Sequence, residues 1–146
     1  MTKRILIACV AILGLSSRLA ADCGLRPPTC DALARATLVF YGEVLESTFH
    51  PNNVGPNEAS IDGRQDVRFN VLRAFKGAQK GTFSGIFNFT EDSIRFRRGS
   101  RILVYATQRD GRWQTACSRS KEMLTRESAL MDELTQLDAC PSQERR

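Results

Sequence analysis

The stretch Arg101-Ile-Leu-Val-Tyr-Ala-Thr-Gln-Arg-Asp110-Gly111-Arg-Trp-Gln-Thr-Ala-Cys117 decides the fold. Two runs rich in β-branched and aromatic residues, Arg101–Gln108 and Arg112–Cys117, flank Arg109-Asp110-Gly111. Asp-Gly between such runs predicts a tight hairpin, because both residues tolerate the positive φ that the turn requires. Working back along the chain, Phe83–Thr90 sets Phe83, Phe87 and Phe89 on one parity and predicts a third strand. Lys76-Gly77 through Lys80-Gly81 turns the chain before it. In strand two, Val67, Phe69 and Val71 alternate with Arg68 and Asn70, giving one buried and one wet face. The first strand is Thr37–Leu45, β-branched and aromatic. Between these two, Phe49–Gly63 contains His-Pro-Asn-Asn, Gly-Pro-Asn and Asp-Gly and reads as a long exposed loop.

Helices are predicted at both ends. Arg26-Pro27-Pro28 is extended, because proline fixes φ and biases its predecessor away from α. Thr29 then caps a short helix, Cys30–Ala36, with Asp31 in its first turn. Thr125 caps a last helix with Glu127 in its first turn, and Leu130, Met131, Leu134 and Leu137 form a stripe expected to face the sheet. Five strands with two short helices make a mainly β protein, and the natural closure is a five-stranded antiparallel barrel of the OB type with the helices packed beside it. There is no internal repeat.

The N-terminus reads as an address. Two cations in Met1–Arg4 precede the apolar run Ile5–Leu15, and Leu19-Ala20-Ala21 supplies small residues for cleavage. That order predicts a secretory signal peptide over residues 1–21, removed to leave one domain at 22–146. The run is too short for a membrane span, which needs roughly 20 apolar residues. Two lipid-attachment alternatives fail, since the apolar run continues past Cys9 and Asp22 precedes Cys23. The expected location is therefore secreted or periplasmic. Formal charge is +5, but residues 1–21 hold Lys3, Arg4 and Arg18 and no acid, so losing these three cations leaves only +2. A phosphate-binding surface thus gains little support from composition, and nucleic acid is not an expected partner.

Export simplifies the cysteines. Cys23, Cys30, Cys117 and Cys140 remain after Cys9 leaves, and four cysteines in an exported domain read as two disulfides with three possible connectivities. A four-thiolate zinc site would bring its ligands as close pairs such as C-x₂-C, and these spacings do not. No metal or cofactor is expected.

Several stretches together carry a resemblance: Pro27-Pro28, then Cys30-Asp-Ala-Leu-Ala-Arg-Ala-Thr-Leu-Val-Phe-Tyr-Gly-Glu-Val44, Val71-Leu-Arg-Ala-Phe-Lys-Gly77, Phe96-Arg-Arg-Gly-Ser-Arg-Ile-Leu-Val-Tyr-Ala106 and Gly111-Arg-Trp-Gln-Thr-Ala-Cys-Ser-Arg-Ser120. In order and spacing they resemble the netrin-like module of the tissue inhibitors of metalloproteinases, especially its exported bacterial relatives. The resemblance implies an OB-type barrel and selects the pairings Cys23–Cys117 and Cys30–Cys140. The inhibitors begin with Cys-x-Cys, whose first amine and carbonyl ligate the target's zinc. Here Asp22 precedes a single Cys23, and Glu91–Phe96 lacks the family's mid-chain cysteine. The expectation is therefore a non-enzymatic interaction module for a protein or envelope partner. The alternative is a metallopeptidase inhibitor acting through Asp22, Cys23 and Gly24.

Little other chemistry is expected. The single histidine, His50, reads as a solvated loop residue with no nucleophile near it in sequence. Asp62, Asp66, Glu91 and Asp92 form no catalytic spacing, and the sequon Asn88-Phe89-Thr90 reads as an incidental match in a strand. Arg95, Arg97, Arg98 and Arg101 are the densest basic cluster, flanked by Phe89 and Phe96. OB barrels stack single-stranded bases on such aromatics, but the parity of Phe87 and Phe89 points them into the barrel. A solvated turn is the plainer reading; contact of Arg95, Arg97 and Arg98 with an acidic envelope polymer or acidic protein patch is the functional one.

Overall fold

The structure, a computed structural model, describes residues 27–52, 55, 60–115, 118–120 and 127–141. Residues 1–21, expected to be a signal segment, together with Asp22, Cys23, Gly24, Cys117 and the expected cap Thr125, lie outside the described residues. Helix α1 (Thr29–Arg35) leads into five strands, β1 (Leu38–Pro51), β2 (Gly63–Lys76), β3 (Gly81–Phe89), β4 (Arg101–Arg109) and β5 (Arg112–Gln114), and α2 (Glu127–Ala139) follows. The strands close into a barrel in the order β1-β2-β3-β5-β4. A mainly β, five-stranded barrel flanked by an N-terminal and a C-terminal helix is the fold the sequence predicts.

Four of the five neighbouring pairs are antiparallel, but β3 and β5 run parallel, joined at Phe87↔Trp113 and Asn88↔Gln114. An odd ring cannot alternate direction all the way round, so one parallel seam is unavoidable. At the hairpin, Asp110 and Gly111 have φ of 51° and 74°, the two positive angles that a two-residue turn of this kind demands. β1 reaches both β2 and β4 by bending through three register shifts. Gly42 sits at one of them, where a Cβ would stand 2.8 Å from the Asn70 carbonyl oxygen.

The predicted 49–63 loop is shorter than expected. The ladder continues through Phe49↔Gln65, His50↔Arg64 and Pro51↔Gly63. Proline is tolerated there because it ends the strand, where its missing N–H leaves no ladder bond unmade. Phe49 is held by an edge-on contact with Phe89, ring centroids 5.3 Å apart.

Burial divides into two cores. Inside the barrel lie Leu38, Phe40, Val44, Val67, Phe69, Val71, Phe87, Phe96, Ile102 and Val104. Outside it, Val39, Phe75, Leu103 and Tyr105 pack against Leu33, Leu130, Leu134 and Leu137 of the helices. Both faces of β4 are therefore covered, which is why it reads as an unbroken apolar run. Met131 is a correction to the predicted stripe: it is 57% exposed, and the buried helical positions are Leu130, Glu133, Leu134 and Leu137. Thr29 is a second correction. It begins α1 instead of capping it, and its hydroxyl donates across to α2. The Cys30–Cys140 disulfide bridges α1 to the end of α2 across 110 residues, with Cα atoms 5.5 Å apart.

Phe69 is the hub of the interior. It lies 5.0 Å from Phe40, 5.8 Å from Phe87 and 5.2 Å from Phe96, centroid to centroid. Phe69→Ala is expected to cost about 3–5 kcal/mol of unfolding free energy, because so crowded a site cannot collapse around the void. Urea denaturation followed by Trp113 fluorescence measures it, and a loss below about 1 kcal/mol would mean that the interior is not close-packed.

Candidate functional site

The loop between β3 and β4 is fastened at three points. Ile94 is buried and its N–H donates to Thr115 Oγ1 at 3.3 Å. Phe96 is 3% exposed, and the buried Gln65 side chain of β2 clamps its backbone both ways: Phe96 N–H donates to Oε1 at 3.2 Å, and Nε2 donates to Phe96 O at 3.3 Å. The chain then turns over Arg97–Ser100, closed by Ser100 N–H to Arg97 O at 3.1 Å. Gly99 supplies the positive φ of 81° at the third position of that turn. Gly99 N–H also donates to Val44 O at 2.7 Å, tying the turn to β1.

With Ile94 and Phe96 pointing in, Arg95, Arg97 and Arg98 point out and are exposed. They border a shallow cleft of about 410 Å³ shared with Ser47, Phe49, Gln65 and Phe96. Arg95 lies over the Phe49 ring, 5.7 Å from its centroid, within cation–π range. Among the described residues, none of the three guanidinium groups forms an ion pair, whereas Arg68 pairs with Glu46 and Arg73 with Asp138. Arg101, the fourth member of the predicted cluster, turns away to Glu43, Nε to Oε2 at 3.5 Å. Phe96 is unavailable as a stacking platform, since it is part of the barrel interior.

His50 is not a solvated loop residue. It stands in β1, half-exposed, with Nε2 3.0 Å from Asp66 Oδ2 on the neighbouring strand. Asn88 faces a separate cleft and accepts a long contact from Arg112 Nη1 at 3.5 Å. Among the described residues no three His, Cys, Asp or Glu side chains are grouped to hold a metal, and no helix is long and apolar enough to cross a membrane.

A second constellation, which no local sequence motif announces, gathers around Glu133. Glu133 of α2 is 3% exposed and takes a fork-on-fork pair from Arg119, Nε to Oε1 and Nη2 to Oε2, both at 2.5 Å. Tyr105 O–H donates to Oε1 at 2.5 Å. The Thr29 hydroxyl donates to Gln136 Oε1 at 2.6 Å, with Glu133 Oε2 at 3.2 Å as the weaker alternative. Arg119 Nη1 also donates to Pro27 O at 2.9 Å, so α1, α2, β4 and the chain before α1 meet at one carboxylate. The available signal was position: Glu133 lies three residues after Leu130 and four before Leu137, on the buried stripe.

No family model matches the chain, and no curated protein matches it either.

Burial raises the Tyr105 hydroxyl well above its ordinary range, and the hydrogen bond to Glu133 adds to the rise. A group with a raised folded value gives stability that is complete below its unfolded value, near 10, and fades as pH climbs beyond it. Stability is therefore expected to fall above about pH 10, and Tyr105→Phe should flatten that fall. Alkaline titration at 295 nm checks the same point. One of the two tyrosines should ionise only as the fold is lost, and reversible ionisation of both in the native protein would refute the burial argument.

Proposed function

We propose that this chain is an exported, non-enzymatic interaction module of the netrin-like kind, which grips an acidic patch on a protein or envelope partner with Arg95, Arg97 and Arg98. The observation that carries the reading is the trio of outward guanidinium groups, without an ion pair among the described residues, on a loop whose backbone is clamped by Gln65. Flexible arginines lose side-chain and loop entropy when a partner orders them. A loop already held in place spends less on that ordering. Guanidinium groups also suit carboxylates, because each offers a planar fork for bidentate pairing. The Cys30–Cys140 disulfide supports a secreted or periplasmic site of action, where such bonds persist.

The test uses a surface-immobilised polyglutamate probe and the oxidised protein. Replacing Arg95, Arg97 and Arg98 together by Glu should weaken binding by roughly tenfold or more, and wild-type affinity should drop steeply from low to physiological salt. Lys80→Glu, at an exposed cation outside the loop, should leave affinity within about twofold. If the triple variant binds like wild type, or Lys80→Glu weakens binding as much, attraction to net charge alone replaces this proposal.

A further inference from the structure

Residues 94–97 belong to no strand, yet they alternate in burial: Ile94 and Phe96 are buried, Arg95 and Arg97 exposed. A period of two is the mark of an extended chain. The Gln65 side chain treats the segment as one. It takes both polar groups of Phe96, the N–H at Oε1 (3.2 Å) and the carbonyl from Nε2 (3.3 Å), as a facing residue does in a hydrogen-bonded antiparallel pair. Ile94 N–H, two residues earlier, donates to the Thr115 hydroxyl. One edge of the segment is therefore filled by side chains of the barrel.

The opposite edge is not. In an extended chain the N–H and C=O of one residue point to one edge, and those of its neighbours point to the other. With Phe96 turned to Gln65, the N–H and C=O of Arg95 and the N–H of Arg97 face away from it. None of these three groups has a hydrogen-bond partner among the described residues. The Arg97 carbonyl is already used, by the N–H and the hydroxyl of Ser100.

Such an edge takes another extended backbone, and the side chains beside it say which. Residues directly opposite across an antiparallel ladder have Cβ atoms about 4.5–5.5 Å apart, so an acid facing an arginine gains and a base facing it loses. Arg95 and Arg97 stand about 6.6 Å apart along an extended chain, which is also the spacing of every second residue in a partner strand. Carboxylates at alternate positions thus meet both arginines at once, whereas of two adjacent carboxylates one falls on the wrong face. Arg95 is already held over the Phe49 ring, 5.7 Å from its centroid, before any partner arrives. A second copy does not supply the pattern, because nowhere in this sequence do two acids stand two residues apart.

We infer that the acidic partner binds as an extended peptide, laid along the outer edge of residues 95–97 with a carboxylate at every second position. The inference rests on the arginine-loop reading above and adds to it the conformation and spacing of what the loop holds.

Two peptides of identical composition and charge test it against the oxidised protein at low salt, with polyglutamate alongside. One is an alternating Glu-Thr repeat; the other is a block of glutamates followed by a block of threonines. The alternating peptide should bind at least about fivefold tighter. N-methylation of its glutamate amides, which face the loop, should weaken binding by about fivefold or more, while methylation of its threonine amides should leave it within about twofold. The preference for alternation should vanish when Arg95→Ala and Arg97→Ala are combined in a protein that keeps the wild-type circular dichroism spectrum. If that protein fails to fold, the two methylations decide. Equal binding of the two peptides, equal effects of the two methylations, or a preference that survives the double substitution overturns the extended docking and leaves the attraction of the loop for acids standing. Failure of both peptides and of polyglutamate to bind removes the arginine-loop reading itself, and this inference with it.

Discussion

A ring of five strands must contain one parallel seam, and the remainder of this structure is arranged around that constraint. The seam between β3 and β5 is only two residue pairs long. So few backbone bonds cannot hold a barrel wall, and side chains take over the closure. Trp113 leans across to Gly85 and Phe83, while Phe69, Phe87 and Phe96 meet edge to face behind them. Edge-to-face packing is the arrangement that aromatic quadrupoles favour, and here it does work that hydrogen bonds do elsewhere in the barrel.

The two helices are attached by a different means. Leu33, Leu130, Leu134 and Leu137 cover the outer side of β1 and β4, but a few leucines on short helices give limited orientation. Direction comes from the Glu133 carboxylate, which receives Arg119 and Tyr105 at once, and from the disulfide that ties α1 to the end of α2. Lys76 adds to this by donating to the Leu33 and Ala34 carbonyls at the C-terminal end of α1. A buried ion pair is costly to desolvate and gives little net stability; its geometry specifies how the helices sit.

Features that depend on local backbone preference were legible in the sequence. The Asp110-Gly111 hairpin, the inward parity of Phe83 and Phe87, and the short helix after Pro27-Pro28 all follow from residues a few positions apart. The family resemblance anticipated the Cys30–Cys140 bridge, which spacing alone left among three pairings. What escaped depends on distant partners. His50 and Pro51 carry turn-forming signals, yet Gln65, Arg64 and Gly63 across the ladder keep them in a strand. Glu133 carries no local sign of its role, because its partner Arg119 lies 14 residues away and on no predicted element. At the arginine cluster, sequence identified four basic residues, but only the fold shows that Glu43 claims Arg101 and that Phe96 is withdrawn into the core.

The Gln65 clamp on Phe96 separates two duties that most loops must combine. The conformation of residues 94–100 is set by a buried glutamine on another strand, two inward apolar groups and one glycine without a side chain. Of the outward positions 95, 97 and 98, Arg95 rests over the Phe49 ring, and the backbone clamp uses none of the three side chains. Selection can accordingly rewrite the chemistry of this rim, from cationic to acidic or aromatic, without renegotiating the fold beneath it, so paralogues sharing one scaffold could diverge in what they hold by changing three codons.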